Sequence, residues 1–179
     1  CGHQVMQEVV EAEDLNGLFR EQGEEAVNAA LRRFAGICAV YRDDNFDLFS
    51  LCIHGVGHGL TSSGFLGPVE AADLCMAEIG EDADACATGV FMEYTSRYLR
   101  LSEERLLSAI PTICSFAESP WQDLCWRNVG ESLMWFFGHN LERVLSECGR
   151  ISDPDDLKAC EEGAEVEAEV AAMQRGTCR

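Results

Sequence analysis

Apolar positions along this chain recur at helical spacing, and no segment alternates apolar and polar side chains as a strand would. The pattern predicts helices at roughly 3–14, 24–41, 47–63, 68–79, 83–99, 102–117, 120–138, 140–150 and 154–175, an all-α fold. Start signals fall where this scheme needs them. Ser119-Pro120-Trp121-Gln122 reads as a capping serine, a proline at the first helical position and a glutamine closing a capping box. Asp153-Pro154-Asp155-Asp156 reads as a capping aspartate followed by carboxylates on the positive end of the helix dipole. Gly67-Pro68 opens another helix, and Pro111, inside the segment 102–117, is expected to kink it. The last helix is mostly Glu and Ala with a thin apolar stripe, as in the polar end of a stacked array.

The ten cysteines are spaced by the same organisation. Thirteen residues separate Cys38 from Cys52, ten separate Cys75 from Cys86, ten separate Cys114 from Cys125, and eleven separate Cys148 from Cys160. The second members of these pairs follow one another at intervals of 34, 39 and 35 residues, the period of a helix–turn–helix repeat. The residues after them read CIHGVGHGL, CATGVFMEY, CWRNVGESL and CEEGAEVEA, with Gly55, Gly89, Asn128 or Gly163 in the third place and Val56, Val90, Val129 or Ala164 in the fourth. The N-terminal CGHQVMQEV falls in the same register, as the second helix of a unit whose first helix is missing. One domain over 1–179 is expected, built of antiparallel helical hairpins in a solenoid or curled bundle. Its units lie at about 1–23 (partial), 24–66, 67–101, 102–139 and 140–179.

In each pair the first cysteine stands near the end of one helix and the second near the start of the next, so a bridge clamps the hairpin at its turn. Each clamp is expected to contribute about 3 kcal/mol in the chain-entropy picture. Cys1 and Cys178 are left over. They either close on one another within a chain, which needs α-carbons within about 7 Å, or join chains head to tail into a homo-oligomer or filament. In architecture the chain is similar to the cysteine-rich branch of the Sel1-like helical repeat proteins, whose hairpins also carry a bridge each. That family's Gly/Ala/Tyr consensus is not found here, and the resemblance implies no function.

Composition narrows the setting. Many widely spaced cysteines without any CxxC pair indicate a disulfide framework from an oxidising compartment, hence a protein that is secreted, periplasmic or on the cell surface. The longest apolar run, Phe34 to Tyr41, is interrupted by Gly36 and is too short to span a bilayer. The net charge is −19, with 32 acidic residues, and a surface so negative repels nucleic acid and anionic lipid.

Candidate chemistry centres on His54-Gly-Val-Gly-His58, two of the four histidines. At i and i+4 on a helix both imidazoles face the same side and can reach one ion. Gly55, Gly57 and Gly59 weaken that helix, by up to about 1 kcal/mol each relative to alanine, and close packing around a ligand is a reason to keep them. The segment lacks the glutamate that HExxH metalloproteases use as general base, so further ligands must come from other units. By repeat register His58 corresponds to Met92 and Glu131, Glu93 follows Met92, and His3 corresponds to His54. The candidate ligands are therefore His54, His58, Glu93, Glu131 and His3, a nitrogen and carboxylate set that suits zinc, copper or iron better than calcium. The plainer reading is a pair of core histidines hydrogen-bonded to backbone and carboxylates.

Three lesser features remain. Cys1-Gly2-His3 would chelate copper or nickel in a square plane if Cys1 were a free terminus. Met134-Trp135-Phe136-Phe137 before Gly138-His139 reads as core, or as the wall of a pocket with His139 as its polar group. Glu24-Glu25 and Glu161-Glu162 read as solvated faces. No G-x-S-x-G, P-loop or dinucleotide motif occurs, and Ser62 or Ser63 beside His58 on one helix gives no triad geometry. The sequence thus points to a metal-binding helical-repeat protein. An extracellular interaction or structural module, and a metal-dependent hydrolase or oxygenase, stand as alternatives.

Overall fold

The computed structural model describes residues 2–177, and the side chains of 4–80 and 82–173. Helices take up 82% of it and no strand occurs among the described residues, so the fold is all-α. Four disulfides join Cys38–Cys52, Cys75–Cys86, Cys114–Cys125 and Cys148–Cys160, with α-carbons 5.5 to 5.9 Å apart, the spacing such bridges require. Cys1 and Cys178 lie outside the described residues. The chain divides into two compact units, Cys1–Tyr94 and Thr95–Arg179.

The first unit contains α1 (Gly2–Ala12), α2 (Leu15–Gln22), α3 (Glu24–Cys38), α4 (Phe46–Ser62), α5 (Pro68–Ile79) and all but the end of α6 (Ala83–Ser96). Helix α4 is its centre. Phe49, Ile53, Val56 and Leu60 are buried, as are Gly55, Gly57 and Gly59, so α4 is enclosed on most sides. Asn45 caps α4 by accepting from the Leu48 amide, and Val10 of α1 lies where a side chain on Gly59 would project. The bridges clamp α3 to α4 and α5 to α6. Val27, Leu31, Phe34 and Val90 complete the core.

The second unit contains α7 (Glu103–Ala109), α8 (Trp121–Phe136), α9 (Leu141–Cys148) and α10 (Pro154–Thr177). Trp126, Val129, Leu133, Met134, Val144 and Ala164 are buried between them. Thr95 and Ser132 share a hydroxyl hydrogen bond of 2.8 Å in this core.

Several local expectations need correction. Residues 15–22 form a helix that the hydrophobic pattern does not predict, because Asn16 and Gly17 resemble a turn; Asp14 caps it by accepting from the Gly17 amide. The segment 102–117 is not one kinked helix. Pro111 has no N–H for the ladder, α7 stops at Ala109, and a 3₁₀ turn over Ile110–Thr112 follows. Ser119 does not cap α8: Pro120 holds that place without a side-chain cap, and the Gln122 amide donates to Asp156 Oδ2 at 3.0 Å instead. The apolar run after Ser132 is not uniformly core, since Met134 is buried and Trp135 is 58% exposed. Asp153 does cap α10, accepting from the amides of Asp155 and Asp156.

Candidate functional site

The register between α4 and α6 is set by glycine. A Cβ on Gly57 would overlap the Cys86 carbonyl oxygen, and one on Gly89 would overlap the His54 carbonyl oxygen. Each helix therefore presents bare backbone to the other, closer than any side chain permits. One turn further along both helices, four residues from His54 and from Gly89, stand His58 and Glu93. Their side chains meet, with His58 Nδ1 and Glu93 Oε2 3.1 Å apart. The Thr61 hydroxyl of α4 also donates to the Val90 carbonyl of α6, at 3.3 Å.

His58 is nearly enclosed, its side chain 9% exposed, and Glu93 is little more open at 17%. On the opposite edge of the His58 ring, Nε2 lies 3.1 Å from Nε2 of His54. The two rings stand edge to face, at 66° and 4.8 Å between centroids. The order Glu93–His58–His54 is thus a line: carboxylate, imidazole, imidazole. A neutral imidazole that donates its Nδ1 proton to a carboxylate keeps a lone pair on Nε2, the edge that His58 turns to His54. His54 in turn lines a surface recess of about 390 Å³ with Leu51, Thr88 and Met92.

The same crossing occurs within the second unit. A Cβ on Gly130 would overlap the Cys160 carbonyl oxygen, and one on Gly163 the Arg127 carbonyl oxygen. One turn further on stand Glu131 and Glu167. Here two carboxylic acids occupy the places of His58 and Glu93. Burial, then the charge of Glu167, pushes Glu131 up to about 7, against the opposing pull of Arg127. Burial likewise raises Glu167, while His139 pulls it down. His139 follows Gly138 in the left-handed region, at φ 60°, and brings Nδ1 to 3.8 Å from Glu167 Oε1 with the Trp135 ring against its own. Repeat register contained a signal for Glu167: it stands seven residues after Cys160, as Glu93 stands seven after Cys86.

Of the five ligands expected from sequence, the structure brings together His54, His58 and Glu93. Glu93 meets the Nδ1 edge of His58, outside the gap between the two Nε2 atoms. Glu131 belongs to the second unit, with Glu167 as its neighbour. His3 is on α1, and its side chain lies outside those described. Among the described residues no group of three or more His, Cys, Asp or Glu is disposed to hold a metal ion. No helix among them is long and apolar enough to cross a membrane. No family model matches this chain, and comparison with curated proteins and with solved structures finds no match.

Proposed function

We propose that this is a secreted helical-repeat protein that holds a transition-metal ion between Nε2 of His54 and Nε2 of His58. The observation that carries the proposal is the separation of those atoms. Two imidazoles on one ion at about 2.05 Å place their nitrogens about 2.9 Å apart at a right angle and about 3.3 Å apart at the tetrahedral angle. The observed 3.1 Å lies between these values.

Glu93 strengthens the case as a partner of His58 rather than as a ligand. A carboxylate on the far ring nitrogen fixes the tautomer that leaves Nε2 free to coordinate and makes that nitrogen more basic. His54 and His58 would hold the ion, and His54 also lines the surface recess formed with Leu51, Thr88 and Met92. An imidazole pair suits zinc, copper or iron and discriminates against calcium. The repeat reading supports this arrangement. Bridged hairpins stacked through glycine crossings give a rigid frame, and a frame stapled by four disulfides belongs to an oxidising, extracellular setting.

Titration of untagged, chelator-treated protein with zinc and with copper(II) tests the proposal. Saturation at one ion per chain is expected, with affinity falling at least about tenfold in His54→Ala and in His58→Ala. Wild type and both variants titrating alike would overturn it, leaving the histidines as a proton-sharing pair anchored on Glu93.

A further inference from the structure

The recess beside His54, of about 390 Å³, is shared by two helices. Ser50, Leu51 and His54 line it from α4, and Ala85, Thr88 and Met92 line it from α6. The glycine crossing sets which residues meet here. Gly89 lies against the His54 carbonyl, and Met92 and Glu93 stand three and four residues beyond Gly89. Glu93 takes the Nδ1 edge of His58, at 3.1 Å, while Met92 shares the recess with His54. A long helical side chain lies back over the turn before its own Cα, and for Met92 that turn carries Thr88, another residue of the recess.

The chemistry of this wall differs from that of the chain at large. The sequence holds 32 acidic residues, yet no carboxylate lines the recess among the described residues. The Thr88 hydroxyl donates to the Asp84 carbonyl of its own helix, at 2.8 Å. All the described cysteines are bridged, so no thiolate among them competes for an ion. Apart from the neutral hydroxyls of Ser50 and Thr88, the donor groups lining the recess are one imidazole and one thioether.

Donor type selects the ion. Calcium, magnesium and manganese want oxygen ligands. Zinc accepts imidazole, but its further ligands are thiolate, imidazole or carboxylate rather than a neutral thioether. Imidazole and thioether together suit copper(I), the soft ion of the series. A thioether has no proton to lose on binding and does not enter disulfides, so this donor persists in an oxidising compartment. Three rotatable bonds let the sulfur of a methionine follow an ion. We propose that the histidine pair takes copper(I), with the Met92 sulfur as its third ligand. This rests on the reading of His54 and His58 as a metal site, and adds to it the soft donor and the oxidation state. Binding is a ligand exchange: a weakly held nitrile or water leaves, and copper stays at +1 throughout.

The test is anaerobic titration of the intact disulfide-bonded protein with tetrakis(acetonitrile)copper(I), in competition with bicinchoninate and without thiol reductant. Met92→Leu conserves side-chain volume and removes the sulfur. It is expected to lower copper(I) affinity at least about tenfold and to leave zinc affinity as in wild type, whereas His54→Ala lowers both. Copper X-ray absorption of the wild-type complex should show one sulfur beside two nitrogens, and the sulfur should vanish in Met92→Leu. Wild-type copper(I) surrounded by nitrogen and oxygen alone would overturn the proposal, however well the variant folds. Equal copper(I) affinity in wild type and Met92→Leu, with zinc still lost in His54→Ala, would remove Met92 and leave the histidine pair standing. Both ions indifferent to His54→Ala would remove the histidine site, and Met92 as a ligand with it.

Discussion

A carboxyl group at position 131 stands where the same helix crossing in the first unit places the imidazole of His58. The exchange changes the chemistry of the pair. His58 beside Glu93 is a donor meeting an acceptor, whereas Glu131 beside Glu167 sets two acids against each other in partial burial. Burial, reinforced by the charge of Glu167, pushes Glu131 up to about 7. The linkage to stability has a definite sign. The unfolded chain releases this proton near the ordinary carboxylate value and the folded chain only near 7, so the folded state holds more protons in between. Stability should therefore fall as pH rises from about 4.5 to about 7, by on the order of 2 kcal/mol, and level off above. Glu167, shifted in the same direction, adds to the slope. Denaturant unfolding of wild type and Glu131→Gln across this window checks it: the variant should lose most of the decline, and parallel profiles would remove Glu131 as the cause. At the histidine pair, Glu93→Gln keeps the shape of the side chain and removes its charge. It is expected to weaken zinc binding about 10- to 100-fold while His58 remains in place, read by titration and by the imidazole NMR signals.

The helix pairs make these side-chain meetings possible through glycine. Gly89 on the His54 carbonyl and Gly163 on the Arg127 carbonyl are equivalent contacts in the two units. Alanine at either position must push backbone away from backbone, at a cost of about 1–3 kcal/mol. The two substitutions should separate at the metal. Gly89→Ala is expected to destabilise and to lose zinc affinity, since it displaces Glu93 from His58, whereas Gly163→Ala should destabilise by a similar amount and bind zinc as wild type does. Thermal unfolding with and without zinc reads both effects. Much of this element-level structure was legible beforehand. The four bridges, the start of α5 at Gly67-Pro68 and the Asp153 cap follow from cysteine spacing and cap chemistry, which are local properties. The line Glu93–His58–His54 was partly legible because register along a repeat carries from one helix to the next. What escaped depends on contacts distant in sequence. Ser119 has every mark of a cap, yet Gln122 is drawn to Asp156, 34 residues on. A recess between α2, α3 and α5 gathers Phe19, Asn28, Phe65 and Asp73 from four segments that share no motif.

For the molecule as a whole, charge complicates any test of metal binding. With 32 acidic residues and a net charge of −19, the surface attracts divalent cations without needing a site. Binding by itself, or stabilisation by added metal, therefore says little about the histidines. Salt offers a partial control, because diffuse attraction is screened within about 8 Å at physiological ionic strength whereas coordination bonds are not. The four bridges help in another way, contributing about 3 kcal/mol each in the chain-entropy picture, so that single substitutions at the site need not unfold the chain. The position of the ion is what distinguishes a built site from a charged surface. Crystals of the zinc-loaded protein, measured on both sides of the zinc absorption edge, give that position directly. The strongest anomalous peak is expected about 2.0–2.1 Å from Nε2 of both His54 and His58, with Glu93 still on the Nδ1 edge of His58. Zinc found only among surface carboxylates, with the two imidazoles still hydrogen-bonded to each other, would contradict the assignment.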